Sequence, residues 1–468
     1  MPPPSLTQWE PVGLAVPAPF LRADGAEALS SLARLIASGA VSSRTDLAKR
    51  TGLARSTIGA HLDRLQDSGL IREAGIAEPS GRGRPAQRLE LAPDAGFVLV
   101  ADLGVHSARL AVADLGQRLL AQETLPVQLS RGPEDILDLV EQRWRDLLSV
   151  AQCPPDRVRT IAVGLPGPVD RSTGTPVRPP LMPGWDAYPV GQKLRERFNC
   201  HVLVNNDASL MALGEARALP PSQYPLVFIK VSTGIGCGII GASGELHDGA
   251  DGAAGDIGHI RVPDSDHVVC RCGNVGCLES VASASAMIRA LQDPLPDFSI
   301  PPGDFTDEEL QKLVNNIRQG DAQTIRLLRE AATVLGRLVA SMVNVINPAR
   351  IVLGGAIDVA SDDLLAGVRS GVYNRAMPLA TRNLTIAHSV LGPVAGVVGG
   401  AVSAIEHVLS PEGLITLTTP TSPHDSPGRQ PRPTSANGGR RAQPGFRQPS
   451  VRSSSSKPRP SRVDQSEP

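Results

Sequence analysis

No apolar stretch in this chain approaches the roughly 18 residues that a membrane-spanning helix requires. The amino terminus, M-P-P-P-S-L-T-Q-W-E, has neither the positive flank nor the apolar core of a secretory signal. A cytoplasmic address without a membrane partner is expected. Charge imbalance is missing as well: the 468 residues carry a formal net charge of -1, so the chain as a whole does not attract polyanions and any basic surface has to be local. Cysteine is scarce. Of six, Cys153, Cys200 and Cys237 are scattered without a pairing pattern, as in a reducing compartment, and no disulfide is expected. What remains is an ordinary soluble composition, 41% hydrophobic and 20% charged, over a length that suggests about two to four domains with a sizeable core.

The other three cysteines are clustered. Between positions 249 and 279 the chain reads G-A-D-G-A-A-G-D-I-G-H-I and then C-R-C-G-N-V-G-C-L-E, which brings His259, Cys270, Cys272 and Cys277 within about twenty residues. Three thiolates and an imidazole complete a closed tetrahedral shell for structural zinc, and Gly273 and Gly276 let the backbone fold back so that the sulfurs converge. Asp256 stands three residues before the histidine and Glu279 two after the last cysteine. A metal with polar groups placed on both sides is expected to brace a binding site.

The first part of the chain is organised differently. Residues 1–24 are proline-rich without a period and read as a flexible arm. From Ala26, Leu29, Leu32, Leu35 and Ile36 recur at helical spacing and predict an amphipathic helix. Next, R-T-D-L-A-K-R-T-G-L-A-R-S-T-I-G-A-H-L-D-R-L predicts two short helices turning at Thr51-Gly52-Leu53, the second from about Arg55 to Asp67. Strands at 70–74 and 87–91 bracket S-G-R-G-R-P. Residues 25–92 thus have the pattern of a winged helix-turn-helix DNA-binding domain. Between Arg44 and Arg88 nine Lys or Arg outnumber five acids, so the basic surface is local. Arg55, Ser56, Thr57 and His61 lie in the first turns of the recognition helix, and Arg82 and Arg84 at the tip of a wing slim enough for a minor groove. These six are the candidate DNA contacts.

Beyond Pro93 long apolar runs alternate with helical patterns. F-V-L-V-A-D-L and A-R-L-A-V-A-D-L form a predicted hairpin; I-A-V-G-L-P-G, H-V-L-V-N-N-D, L-V-F-I-K-V and I-V-L-G-G read as strands. Helices are expected near 133–150, 208–219, 322–346 and 394–409, which makes residues 93–412 an α/β domain. A disordered tail is expected over 413–468, because from about Pro420 the chain is Pro, Ser, Arg and Gly and cannot bury enough surface to offset the entropy of ordering. Its nine basic residues against three acids give a solvated tail at most a weak, salt-sensitive affinity for nucleic acid.

The runs G-D-I-G-H at 255–259 and C-x-C-G-x-x-G-C-x-E at 270–279 are similar to hallmarks of the ROK family of sugar kinases and sugar-responsive repressors, with Asp256 where that family has glutamate. The resemblance extends from about Phe97 to Val408. It implies two ribonuclease-H-like lobes of the actin and hexokinase type around a cleft, here preceded by the winged helix-turn-helix. It also assigns Asn206, Asp207, Asp256, His259 and Glu279 to sugar contacts, with Asp207 as catalytic base in members that are kinases. Read from the residues alone, Asn206 and Asp207 end a strand and open a helix, which places them at the sheet edge facing a crevice. Asp207 has the alternative role of a helix cap. Asp256, one methylene shorter than glutamate, alters the accepted sugar or calls for a bridging water.

The phosphate loops depart from the kinase pattern. Family kinases carry D-x-G-G-T or a close variant, whereas this chain has Asp102-Leu103-Gly104-Val105-His106, with a β-branched residue that resists positive φ and an imidazole in place of the hydroxyl. The second loop, Thr233-Gly234-Ile235-Gly236-Cys237-Gly238, substitutes Cys237, and only Gly354 and Gly355 keep the adenosine-loop pattern. ATP and Mg are expected only if the chain were a kinase, since phosphoryl transfer depends on those loops for positioning. The expected function is transcriptional regulation, as a repressor. Operator DNA is held by the winged helix-turn-helix with an affinity set by a sugar, sugar phosphate or other sugar derivative in the zinc-braced cleft of a homodimer or homotetramer. The alternative is an ATP-dependent sugar kinase that carries a DNA-binding domain.

Overall fold

In a computed structural model of the chain, residues 12–15, 25–76, 87–293, 305–358 and 361–418 are described. Helix α1 (Ala26–Ala37) buries Leu29, Leu32, Leu35 and Ile36 as its spacing predicts. Helix α2 (Arg44–Thr51) starts at Ser43, whose hydroxyl accepts the Asp46 N–H, and ends at Gly52 in the left-handed region, φ 72°. The tight turn that follows leads into α3 (Arg55–Asp67), which buries Ile58, Leu62 and Leu65 on its inner face. Strands β1 (Ile71–Ile76) and β2 (Gln87–Leu91) pair antiparallel to complete the winged helix. The wing tip, with Arg82 and Arg84, lies outside the described residues.

The α/β part has two sheets. The first contains β3 (Phe97–Leu103), β4 (Ser107–Asp114), β5 (Leu119–Pro126) and β6 (Val158–Leu165); after a small ladder of β7 (Val169–Asp170) and β8 (Thr175–Pro176), β9 (His201–Asn206) completes it. Its order is β5-β4-β3-β6-β9, antiparallel from β5 to β3 and parallel from β3 to β9. The second sheet, β10 (Leu226–Val231), β11 (Ile235–Ile240), β12 (Arg350–Gly354) and β13 (Thr385–His388), runs β11-β10-β12-β13. Helices α4 (Pro133–Val150) and α5 (Val190–Phe198) belong to the first lobe; the Trp144 indole of α4 is wholly buried and donates to Val100 O at 3.2 Å. The second lobe holds α7 (Leu278–Ala282), α8 (Ala284–Gln292), α9 (Asp307–Gln319), α10 (Ala322–Ile346), α11 (Asp362–Tyr373) and α12 (Pro378–Thr381). This is the two-lobed arrangement that the family resemblance implied, built from the α/β alternation read in the sequence.

Two helices meet between the sheets. Helix α6 (Asp207–Ala218) lies on β10 and β11, α13 (Ala395–Val408) lies on β3 and β6, and each packs along the other. Their crossing is close because it is made of glycine: a Cβ on Gly399 would stand 1.8 Å from Leu210 O, and one on Gly214 2.4 Å from Ala395 O. Any relative motion of the lobes has to pass through this contact.

Two expected boundaries need correction. Within the arm taken as flexible over 1–24, Leu14 is only 5% exposed, Gly13 N–H donates to Arg217 O at 3.0 Å and Ala15 N–H to Glu406 Oε1 at 2.8 Å. Proline content concealed one apolar anchor. At the other end, the tail expected from 413 begins inside a helix, α14 (Pro411–Thr418), which buries Leu414 and packs on α1. A short L-I-T-L run vanishes in a compositional average, yet one leucine in a pre-formed groove suffices to order about two turns. With Ser30 Oγ donating to Leu409 O at 2.6 Å, these contacts merge the core of the winged helix with that of α6 and α13. Among the described residues no single helix is long and apolar enough to cross a membrane.

At the end of β13, His388 stands between two carboxylates, Nδ1 2.7 Å from Asp358 Oδ1 and Nε2 2.9 Å from Asp362 Oδ1. Burial works to lower its pKa, but the carboxylates outweigh burial and hold it above the ordinary value. Burial pushes Asp358 up to about 6 despite the histidine. Both groups bind protons more tightly folded than unfolded. Their stabilising contribution is therefore complete below the unfolded values of 3.8 and 6.5 and is lost as pH rises through the folded ones. His388→Gln is expected to flatten the loss of stability as pH rises above about 6.5, by roughly 0.5–1 kcal/mol because solvent screens the exposed Asp362. Parallel wild-type and variant curves in calorimetry would refute this.

Candidate functional site

The cleft between the lobes has a volume of about 250 Å³. Its walls include Asp102, Gly104, Asn206, Asp207, Thr233, Gly234, Gly236, Asp256, His259, Glu279 and Gly355. Eleven scattered positions are gathered there by the topology: β3, β6 and β9 run parallel and deliver their carboxyl ends to one edge. Gly354 is the exception, since it does not line the cleft and lies over the Phe228 ring, where a Cβ would stand 2.4 Å from Cζ. Its lack of a side chain serves packing rather than a nucleotide.

Asn206, not Asp207, is the cap of α6. Its Oδ1 accepts the Ala208 and Ser209 N–H groups at 2.9 and 3.2 Å, while Nδ2 donates to Gly167 O at 3.0 Å, leaving one amide hydrogen for a ligand. Asp207 is buried; Oδ1 accepts the Ala208 N–H at 2.6 Å and Oδ2 is paired with Lys230 Nζ. Lys230 was not singled out from the sequence, although a lone lysine inside V-F-I-K-V was the available signal. Arg109, also missed, lies in the cleft wall with Nη1 3.7 Å from Asp102 Oδ2. Burial raises the Asp102 pKa, Arg109 opposes the rise, and Asp207 adds to it.

The kinase-type hairpin is built another way here. Gly104 N–H donates to Ser107 O at 2.7 Å, and none of residues 104–106 adopts a positive φ. The His106 ring packs against Phe305, which precedes α9 in the opposite lobe, with centroids 5.1 Å apart. Where the kinase pattern places a phosphate-binding hydroxyl, this chain has an aromatic contact across the cleft.

At the far wall, Glu279 Oε2 accepts the Ile235 N–H at 3.1 Å, and burial raises its pKa against the opposing pull of His259. Adjacent to it, one ligand atom each from His259, Cys270, Cys272 and Cys277 lie within 4.8 Å of one another, a His/Cys cluster with the chemistry to hold a metal ion. The His259 Nδ1 faces Cys270 Sγ at 3.7 Å and its Nε2 faces Asp256 Oδ1 at 3.9 Å, so a single ring has one nitrogen toward the thiols and one toward the cleft. The Cys272 and Cys277 sulfurs are 3.7 Å apart. A tetrahedron with zinc–sulfur bonds of about 2.3 Å has an edge of about 3.8 Å, and the donor set fits.

In the winged helix, α3 starts at Ala54 without a side-chain cap, which leaves its first N–H groups available to an anion. Arg55 and Ser56 are exposed beside them and Thr57 is half-buried. His61 is a correction: it is 8% exposed and turned inward on the face that also buries Ile58, Leu62 and Leu65, away from the exposed face a base contact needs. Arg64, overlooked earlier, is on the exposed face. Of the basic residues counted in this domain, Arg44 is within 4.0 Å of Asp63 and Glu73, while Arg72 and Arg88 pair with Glu90. No ion pair holds Lys49, Arg50, Arg55 or Arg64 among the described residues, and all four are exposed, so they carry unpaired positive charge on α2 and α3.

A DNA-reading winged helix that shares its core with a two-lobed, sugar-kinase-type cleft defines a class, that of regulators built on a kinase scaffold. Residues 98–407, more than half of the chain, match the ROK family, and residues 34–72 match a winged helix-turn-helix DNA-binding domain. The chain belongs to the ROK family. It is 27% identical over 373 residues to the xylose repressor of Caldicellulosiruptor bescii, covering 79% of this chain and 92% of that protein. It is 31% identical over 249 residues to the glucokinase of Halalkalibacterium halodurans, covering 51% and 74%. Among solved structures, a ROK family transcriptional regulator homologous to the Escherichia coli Mlc protein superposes with a TM-score of 0.67 at 26% identity, over 84% of this chain and 98% of that one.

Proposed function

We propose that the chain is a DNA-binding transcriptional repressor whose operator affinity is set by a sugar or sugar derivative bound in the cleft, acting in the cytoplasm as a homodimer or homotetramer. One observation carries the sensor reading above the kinase alternative: both oxygens of Asp207 are already engaged, Oδ2 by Lys230 and Oδ1 by the Ala208 amide. A general base needs an oxygen aimed at the substrate hydroxyl, and a carboxylate with both oxygens engaged serves as a hydrogen-bond acceptor with its orientation already fixed. The hairpin that would cradle phosphate is occupied by the His106–Phe305 contact. ATP and Mg have no assigned role.

The sugar is held by Asn206, Asp207, Asp256, His259 and Glu279. Zinc bound by His259, Cys270, Cys272 and Cys277 fixes the ring of His259 and the start of α7, which carries Glu279. Arg55, Ser56 and Thr57, with Arg64, meet the major groove. In a dimer, two such helices would address half-sites about 34 Å apart, and a sugar that prefers one lobe arrangement would alter that spacing. A coupling of roughly 1–3 kcal/mol, about five- to 150-fold, makes a usable switch.

The test begins with duplex DNA selected by the purified protein from a randomised library. Arg55→Ala is expected to weaken binding by about 1–3 kcal/mol. A panel of neutral sugars and sugar phosphates, D-xylose and D-glucose among them, should contain a member that shifts the affinity at fixed salt, with no phosphorylated product from ATP. Equal affinity with every sugar at saturation would sink the sensor reading, and ATP-dependent turnover lost in Asp207→Asn would establish the kinase instead.

A further inference from the structure

Resting on the repressor reading, we infer that the segment Val12 to Ala15 is the coupling strap that reports the lobe arrangement to the DNA-reading domain, by bridging α6 and α13 and packing in the core they share with α1. The argument starts at the cleft. Helix α6 has Asp207 at its first position, paired with Lys230 of the second sheet, and is buried along nearly its whole length. Ten residues further on, about 15 Å along the axis, the helix reaches Arg217 near its opposite end. Helix α13 rests on the first sheet, so displacement of one lobe against the other is displacement of α6 against α13.

Segment 12–15 is attached to both helices. Gly13 N–H donates to the Arg217 main-chain oxygen on α6 at 3.0 Å, and two residues later Ala15 N–H donates to Glu406 Oε1 on α13 at 2.8 Å. Between these bonds Leu14 enters the core shared by α6, α13 and α1. The attachment is stiff at both ends: the Arg217 side chain, 3% exposed, makes a fork to Glu406 at 2.8 and 3.2 Å and donates to Gly244 O at 2.7 Å. One carboxylate thus serves the guanidinium and the strap together. A shear of even 1 Å between the helices lengthens one of these bonds past hydrogen-bond range. Because the strap lies ahead of α1 and packs in the same core, two states of the cleft become two settings of the reading head.

The experiment uses the full chain and two variants: Ala15→Pro, which removes the donor to Glu406 without touching cleft or DNA face, and a chain lacking residues 1–15. Library-selected duplex serves as the DNA, and D-glucose or D-xylose as the sugar. Both variants should keep the wild-type melting shift with sugar and the sugar-free DNA affinity to within about twofold, while the sugar-induced change in DNA affinity falls toward onefold. A sugar effect on DNA of wild-type size in both variants overturns the strap. If the wild type itself ignores sugar, the repressor reading fails separately, and the strap is then judged by amide exchange. Lys230→Met, which unpairs the start of α6, is expected to speed exchange at Gly13 and Ala15 at least tenfold, and unchanged exchange there refutes the coupling.

Discussion

Cys277→Ser is expected to abolish one-to-one zinc binding and the response to sugar together. The stretch from His259 to Cys277 contains little regular structure; it is held by isolated bridges between Arg261 and Cys277 and between Val269 and Val275, with only Val262 and Val268 as buried aliphatic anchors. Burial pushes the Cys277 thiol up to about 11, Cys272 adds to the rise and Cys270 opposes it, and buried thiols packed together without a cation have little reason to stay converged. Zinc binding of order 10–16 kcal/mol in small fingers shows how much folding free energy such a cluster supplies. Losing it would free His259 and the start of α7 with Glu279, one wall of the cleft. Elemental analysis should read one zinc per wild-type chain and none in the variant, and amide exchange should rise over 257–279 while the winged helix stays protected. A metal-free variant with wild-type exchange and an intact sugar response would contradict the bracing role.

The second large effect is steric. Alanine in place of a helical glycine ordinarily gains about 1 kcal/mol from propensity, but at Gly399 the added methyl would stand 1.8 Å from Leu210 O and 3 Å or less from the Gly214 amide nitrogen. Backbone cannot yield as a side-chain tip can. Overpacking of this kind costs about 1–3 kcal/mol or more, and here the strain falls on α6, so Gly399→Ala should lower the melting temperature and weaken sugar binding together. Gly59→Ala supplies the contrast, because nothing lies within 4 Å of its would-be Cβ in α3. That variant should gain about 0.5–1 kcal/mol. Equal shifts for the two substitutions in thermal denaturation would show that the helix crossing is looser than drawn.

Much of this molecule was legible in local sequence. The helix-turn-helix follows from Ser43, Gly52 and the spacing of Ile58, Leu62 and Leu65, each acting within a few residues of itself. The metal cluster was equally plain, since three of its ligands fall within eight residues and their spacing already brings the sulfurs together. His61 was misjudged for a related reason. Spacing tells which residues share a face of α3, but only the partners of that face tell which way it points.

What the chain alone determined are those features whose causes are short-range: period, caps, turns, ligand spacing, and the departure at Val105 and His106 from the kinase phosphate-loop pattern. What tertiary structure decided is every pairing between distant positions. Lys230 meets Asp207 across 23 residues, His106 meets Phe305 across two lobes, and Ala15 meets Glu406 across 391 residues. The physical reason is that a charge or an amide has no assigned partner until burial removes water as the alternative, and burial is a property of the whole packed chain.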